Sequence, residues 1–265
     1  MPFANTVEVL LGNKDGTFQS QPGIAVGQGP MNLIALDLDG DKNVDIVSSN
    51  FSSHTLSLLF GTGDGTFKPR KDVTVEKGPL GIAAGDVDAD GKPDLVVANG
   101  DAGALSVLRN QGGGVFQSKA YYNLGASPVA VALGELNGDG KLDIATANGV
   151  SGSFSIFLND GTGAFTKTGT TPKLGAGDYP TSIALADVDG DGDSDIVTAD
   201  SYGSNASLLF NQGDTTFGSP LELTVGLNPN SVVVSDVNGD GKLDVAVANL
   251  QGDSVSVLRN AACEP

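Results

Sequence analysis

The feature that most constrains this chain is a nine-residue acidic pattern that returns at an almost fixed interval. It reads DLDGDKNVD at 37–45, DVDADGKPD at 86–94, ELNGDGKLD at 135–143, DVDGDGDSD at 187–195 and DVNGDGKLD at 236–244. Successive copies start 49, 49, 52 and 49 residues apart. Two other series keep step. An apolar segment starts at Glu8, Ser57, Ser106, Ser155, Ser207 and Ser256, and a phenylalanine follows a glycine-containing turn at Phe18, Phe67, Phe116, Phe165 and Phe217. All three share the single 52-residue step, so three extra residues lie between Phe165 and Asp187. A fixed period near 50 residues implies an array or a propeller, because one unit of that size cannot bury its apolar face alone.

Each unit reads as β-structure. A short apolar run such as NLIAL or SVVVS precedes the acidic loop, and a second, such as DLVVAN, follows it. An alternating third run, TLSLLFG, places Leu56, Leu58 and Phe60 on one face, and a turn such as GTGDG leads to a fourth run that begins with the phenylalanine. No window sustains a helical period. Four strands per unit predict an all-β chain, a β-propeller of four-stranded blades. A β-solenoid is disfavoured because its coils are usually shorter. Five first strands predict five blades in a single domain over 1–265, with repeats at 28–76, 77–125, 126–176, 177–226 and 227–260, the last completed by 6–27. On this reading residues 17–26 supply the last blade's fourth strand and close the ring. The third-strand copy near 6–12 then competes with 254–259, which opens a route to self-association; otherwise the chain is a piece of a longer propeller with an open edge.

The acidic loops carry oxygen donors at fixed offsets. Positions 1, 3, 5 and 9 are Asp37, Asp39, Asp41 and Asp45; Asp86, Asp88, Asp90 and Asp94; Glu135, Asn137, Asp139 and Asp143; Asp187, Asp189, Asp191 and Asp195; and Asp236, Asn238, Asp240 and Asp244. Position 7 is Asn43, Lys92, Lys141, Asp193 or Lys242, which can offer a backbone carbonyl. Glycine at position 6 in four loops permits a left-handed turn there. Alternate side chains then converge on a cup that suits a hard cation with six to eight oxygen ligands, so about five Ca²⁺ ions, one per loop, are expected. Magnesium demands stricter octahedral geometry, and zinc prefers nitrogen and sulfur. An EF-hand or dockerin loop needs a glutamate at position 12 and flanking helices. Position 12 here is Ser48, Val97, Thr146, Thr198 or Val247, and the flanks are strands. Asp-Gly segments also make good turns, but a turn alone does not call for five loops with matched offsets.

The loops hold 19 acids and 4 lysines, a net of −15, out of −18 for the whole chain. The acidity is therefore loop acidity, and it argues against nucleic acid or anionic lipid as partner. The loops are not equal. Lys42 replaces the position-6 glycine in the first, Glu135 opens the third, and Asn137 and Asn238 lower ligand charge, so 86–94 and 187–195 should bind tightest and 37–45 and 135–143 weakest. Apolar runs are too short to span a bilayer, and the start MPFANTVEVLLG carries no signal-peptide pattern. The one cysteine, Cys263, permits neither an internal disulfide nor a cysteine-based zinc site.

Repeats of this length, with the D-x-[DN]-x-D-G-x-x-D loop between short strands and a following LLFGTGDGTF, resemble the FG-GAP/VCBS repeat family. The resemblance covers nearly the whole chain. The literal FG stands only at Phe60-Gly61 and Phe217-Gly218, and the GAP element is reduced to Gly29-Pro30 and Gly78-Pro79, which is closer to the bacterial branch than to integrin α-subunits. It implies propeller blades with calcium in the hairpin between the first two strands, and a surface or secreted setting.

Three functional classes follow. The first is a non-enzymatic binding or adhesion module with calcium as a structural staple, its ligand a glycan or a protein. The second is a lectin, for which Tyr121, Tyr122, Tyr179 and Tyr202 are the candidate platforms; Tyr179 falls in the lengthened segment. The third, an enzyme, is disfavoured: His54 is the one histidine, in a loop, and no GxSxG elbow occurs.

Overall fold

The computed structural model describes residues 4–117, 120–169, 173–175 and 178–260. Cys263 lies outside them. The chain forms two compact units, Met1–Ala84 with Gly91–Gly125, and Gly85–Asp90 with Ala126–Pro265.

The protein is all-β, built from repeated antiparallel sheets. At the N-terminus, β1 (Thr6–Val7) pairs with β4 (Ile24–Ala25), and β2 (Leu10–Gly12) pairs with β3 (Phe18–Ser20). The first four-stranded sheet is β5 (Pro30–Leu36), β6 (Asp45–Asn50), β7 (Thr55–Leu59) and β8 (Lys71–Thr74); the second is β9 (Pro79–Gly85), β10 (Asp94–Asn99), β11 (Ala104–Leu108) and β12 (Ala120–Asn123). The third is β13 (Pro128–Gly134), β14 (Asp143–Asn148), β15 (Ser153–Asn159) and β16 (Phe165–Lys167). The fourth is β17 (Pro180–Ala186), β18 (Asp195–Asp200), β19 (Asn205–Leu209) and β20 (Leu221–Thr224). Then come β21 (Pro229–Ser235), β22 (Asp244–Asn249) and β23 (Ser254–Leu258), a sheet of three strands among the described residues.

Each first strand opens on a proline, and the register shifts just after Pro30, Pro128, Pro180 and Pro229. Proline donates no N–H to the ladder, so it is tolerated at a strand's first residue, here beside a bulge. Second strands are buried on both faces, β6, β10, β14 and β18 along their whole length. In the first unit Leu38, Val47, Leu56, Leu58 and Phe60 pack with Ile82, Leu95, Val97 and Leu108 from the second sheet. The expected shared face of Leu56, Leu58 and Phe60 is thus the core face. In the second unit Phe154 and Ile156 pack with Ile183, Ile196 and Leu209, and Val197 and Leu208 with Val232, Val245 and Val247.

Two expectations change. Phe67, Phe116 and Phe217 do not begin fourth strands; each forms an isolated bridge, to Gly61, Asn110 and Asn211, and the strand proper starts later. The bridge closes a turn whose aspartate is already engaged: Asp64 Oδ1 accepts from the Thr66 amide at 2.9 Å and from the Thr62 and Thr66 hydroxyls. The second change is at the N-terminus. Residues 17–26, expected as fourth strand of the 227–260 repeat, pair instead with 6–12. Closing the short turn around Asn13–Thr17 costs roughly 3 kcal/mol less chain entropy than bridging more than 200 residues, and Lys14 and Gly16 supply left-handed backbone for it. The hairpin's Val7 and Val26 cover Ile46 and Leu59 of the first sheet. On β23, Val255 is 67% exposed, whereas its counterparts Leu56, Leu105, Phe154 and Ala206 are at most 1% exposed.

One residue stitches successive repeats within each unit. The side-chain amide of Asn110, two positions beyond the end of β11, donates to Leu38 O at 2.8 Å, 72 residues back, and to Pro93 O at 3.0 Å. Asn159 does the same to Val87 O, Asn211 to Leu136 O and Asn260 to Val188 O, at 2.7 to 2.9 Å. Asn211→Ala should cost about 2 kcal/mol, since it strips donors from two carbonyls in a buried site; urea unfolding of the variant measures this, and an unchanged midpoint would deny the clamp its role.

Candidate metal centres

The acidic loops join each sheet's first strand to its second. Their backbone needs two left-handed residues, not one. Position 6 is left-handed as expected, and so is position 4: Gly40, Ala89, Gly138, Gly190 and Gly239 all have φ between 59° and 85°. Four loops use glycine there. Ala89, and Lys42 at position 6 of the first loop, take up this conformation at a steric cost of about 1 kcal/mol each.

The curl turns the side chains inward. In the first loop Asp37 accepts from the amides of Gly40 and Lys42, both at 2.8 Å, Asp39 from that of Asp41 at 3.2 Å, and Asp41 from that of Asn43 at 2.9 Å. The fourth loop repeats this with Asp187, Asp189 and Asp191. In the fifth, Asp236 and Asn238 take the amides of residues 238–241 and Asp240 that of Lys242. In the third, Glu135 Oε1 alone gathers the amides of Asn137, Gly138 and Asp139. Position 7 thus helps to close the loop through its amide, as Asn43, Lys141, Asp193 and Lys242 do toward position 5.

Three groups of carboxylates converge, each with one oxygen per residue within 4.8 Å of the others: Asp37, Asp39 and Asp41; Asp86, Asp88 and Asp90; Asp187, Asp189 and Asp195. Each triad could hold a metal ion. The donors are all oxygen, the charge is uncompensated within the triad, and the left-handed curl brings alternate residues to one side, so the residues fit a hard divalent cation. In the third and fifth loops Asn137 and Asn238 stand where the triads have a carboxylate.

The position-9 aspartates do more than complete a cup. Asp45, Asp94, Asp143, Asp195 and Asp244 have no exposed surface. Asp45 Oδ2 accepts from Leu38 N at 2.9 Å and Oδ1 from Gly61 N at 2.7 Å. Asp143 takes Leu136 N and Asn159 N, Asp195 takes Val188 N and Asn211 N, and Asp244 takes Val237 N and Asn260 N. Each therefore ties the start of its loop to the end of the third strand. Burial raises the Asp143 pKa to about 6, against the lowering by those two amides, and nearby Asp139 and Glu135 raise it further. Burial likewise raises Asp45 and Asp195.

Lys68 is a participant that sequence reasoning missed. Its ammonium bridges Asp39 and Asp41 at 3.1 and 3.2 Å, and these bonds raise its own pKa. The alignment of repeats was the available signal, since Gln19, Gln117, Thr166 and Gly218 hold the equivalent positions. The turn aspartates form a separate class. Asp64, with its pKa near 2 through the Thr66 and Thr62 hydroxyls, and Asp15, Asp160 and Asp214 cap their own turns.

Of the aromatic candidates, Tyr121 is half exposed on β12, and Tyr122 is half-buried beside it. Tyr179 and Tyr202 come together, with ring centroids 5.2 Å apart.

The FG-GAP-like repeat matches this sequence four times, at residues 37–97, 86–146, 135–198 and 187–247. The chain belongs to the FG-GAP-like repeat family. No curated protein matches its sequence. Its fold is similar to a putative 6-phosphogluconolactonase from Bacteroides uniformis (TM-score 0.78, 14% identity, 98% of this chain and 76% of that one). It is also similar to virginiamycin B lyase from Staphylococcus aureus (0.65, 15%, 97% and 75%) and to an Agrocybe aegerita lectin that recognises terminal N-acetylglucosamine (0.57, 20%, 97% and 75%). The lactonase and lyase neighbours are β-propellers. Among the described residues no helix is long and apolar enough to cross a membrane.

Ala89→Gly and Lys42→Gly should each raise stability by about 1 kcal/mol by relieving left-handed strain; chemical denaturation with chelator present reads this without metal effects. Lys68→Gln should tighten divalent-cation binding at 37–45 several-fold by removing the ammonium that competes for Asp39 and Asp41, as calorimetry on a variant with the other loops disabled would report.

Proposed function

We propose that this FG-GAP-like protein is a non-enzymatic, calcium-stabilised propeller that acts as a binding or adhesion scaffold. The observation that carries the reading is the convergence of three aspartate triads in loops that join neighbouring strands of their sheets. Calcium at Asp37, Asp39 and Asp41, and at the equivalent residues of each loop, would supply charge neutralisation and hold the first hairpin of each sheet closed. Metal binding would then feed into folding stability. The calcium demand favours an extracellular or cell-surface setting. The one histidine, His54, has its Nδ1 engaged by the Gly78 amide at 3.1 Å, which supports a binding role over catalysis. The exposed Val233, Val255 and Val257 support association with a further β-sheet surface, a second copy included. A carbohydrate ligand is the second reading, favoured by the Tyr179–Tyr202 pair; a glycan array tests it.

Chelator should lower the melting temperature by on the order of 10 °C, and calcium should restore it; an indifferent melting curve would overturn the structural role. The pH dependence has a defined sign. Asp143 has a folded pKa near 6, above the usual 3.8, so its protonated form favours the metal-free fold below about pH 4 and this contribution is lost as pH rises through 6. Calcium needs the ionised form. Chelated protein should therefore be more stable at pH 5 than at pH 7, with the gain from calcium smaller at pH 5; calorimetric scans at the two values decide it.

A further inference from the structure

The fourth repeat departs from the others at the end of the sheet opposite its acidic loop. At the close of the second strand, four repeats carry an asparagine, Asn50, Asn99, Asn148 and Asn249, whose amide donates to a third-strand serine at 2.9 to 3.0 Å. The fourth has Asp200, which can only accept, and takes the Ser207 and Thr198 hydroxyls. Beside it lies Asp178, 8% exposed, from the connection that carries the three-residue surplus. Among the described residues Asp178 Oδ2 has no hydrogen-bond partner, nor has Oδ1 of Asn205, which is 6% exposed. Asp178 Oδ2 and Glu222 Oε1 both come within 2.6 Å of the point that a Cβ on Gly175 would occupy. Glycine there keeps open the slot between two carboxylates.

The slot adjoins a cavity of about 440 Å³ lined by Val150, Ser151, Lys173, Asp178, Tyr179 and Tyr202. Tyr179 is packed on Gly149, where a Cβ would meet the ring at 2.6 Å, while Tyr202 is 75% exposed. One ring is thus fixed by the backbone and the other faces solvent. Asp178 Oδ2 lines this cavity and has no donor among the described residues, Lys173 of the same lining included, which calls for a ligand that brings N–H groups and positive charge. A bare metal ion is the poorer occupant, because among the described residues three carboxylates converge to 4.8 Å only in the acidic loops. An ammonium on an aliphatic stem matches both parts: its N–H groups meet Asp178 and Glu222, and its stem and charge lie along the tyrosine rings.

We propose that this pocket binds a primary alkylammonium group, of the kind at the end of a lysine side chain. The inference does not rest on occupancy of the acidic loops, which lie at the other end of the sheet. The test is calorimetric titration of the intact chain, in saturating calcium, with 1,5-diaminopentane and with neutral 1-pentanol. One diamine should bind per chain and pentanol should not. Asp178→Asn should weaken the diamine by about tenfold, as expected for loss of a charge-assisted hydrogen bond, and Tyr202→Ala by several-fold, with calcium stoichiometry intact in both. The exposed Tyr202 is removable without disturbing the fold, so it serves even if Asp178→Asn does not fold. Equal binding of the two probes, or diamine affinity indifferent to these changes, would overturn the proposal; loss of one calcium equivalent in Asp178→Asn would overturn it in favour of a metal.

Discussion

Five buried aspartates hold the repeat together. A carboxylate out of contact with water is tolerated only when its oxygens find donors. Asp45, Asp143, Asp195 and Asp244 each find at least two, one at the start of the acidic loop and one at or just past the end of the third strand. The loop cannot open without stranding a buried charge, and the third strand cannot shift register without the same penalty. The residue that gives its amide to Asp94, Asp143, Asp195 or Asp244 is the asparagine whose side chain reaches back to the preceding repeat. Loop closure, strand register and stacking within each unit therefore meet at one carboxylate.

This arrangement sorts the acids into separate tasks. Turn aspartates such as Asp64 satisfy threonine hydroxyls and amides and are spoken for. Position-9 aspartates take a backbone donor on each oxygen, and Asp195 also faces Asp187 and Asp189. In the triads, the residues at positions 1 and 3, with position 5 in the first two and position 9 in the fourth loop, face one another across less than 4.8 Å. Crowded like charges persist there because the loop geometry forces them together. That excess, rather than total acidity, is what a cation would neutralise.

Much of this could be read in the sequence. The 49-residue beat, the four-strand unit and the convergence of Asp37, Asp39 and Asp41 all follow from local spacing. What could not be read depends on partners far away or on backbone angles. The clamp from Asn110 spans 72 residues, and nothing local separates the N of SVLRN from an ordinary loop asparagine. The left-handed angle at position 4 was masked by glycine in four loops and by a plain alanine in the fifth. Lys68 reaches the first loop only because the turn after β7 folds back over it. The repeat pattern alone makes the N-terminal segment a partner for the most distant repeat, whereas the cheap closure is with its own neighbour.

The clamp also has a direction. Each asparagine reaches toward the repeat before it, and Gly61 stands at that position in the first repeat. A single repeat therefore carries one half of two joints, a grip for its predecessor and a carbonyl for its successor. Duplicating such a unit creates a new joint without any change elsewhere in the chain. The three-residue surplus of the fourth repeat illustrates the tolerance: Asn211 spans 75 residues rather than 72, yet meets Leu136 O at 2.9 Å. Length added between repeats is absorbed, so new side chains such as Asp178 and Tyr179 can be introduced there while the joints on either side stay as they were.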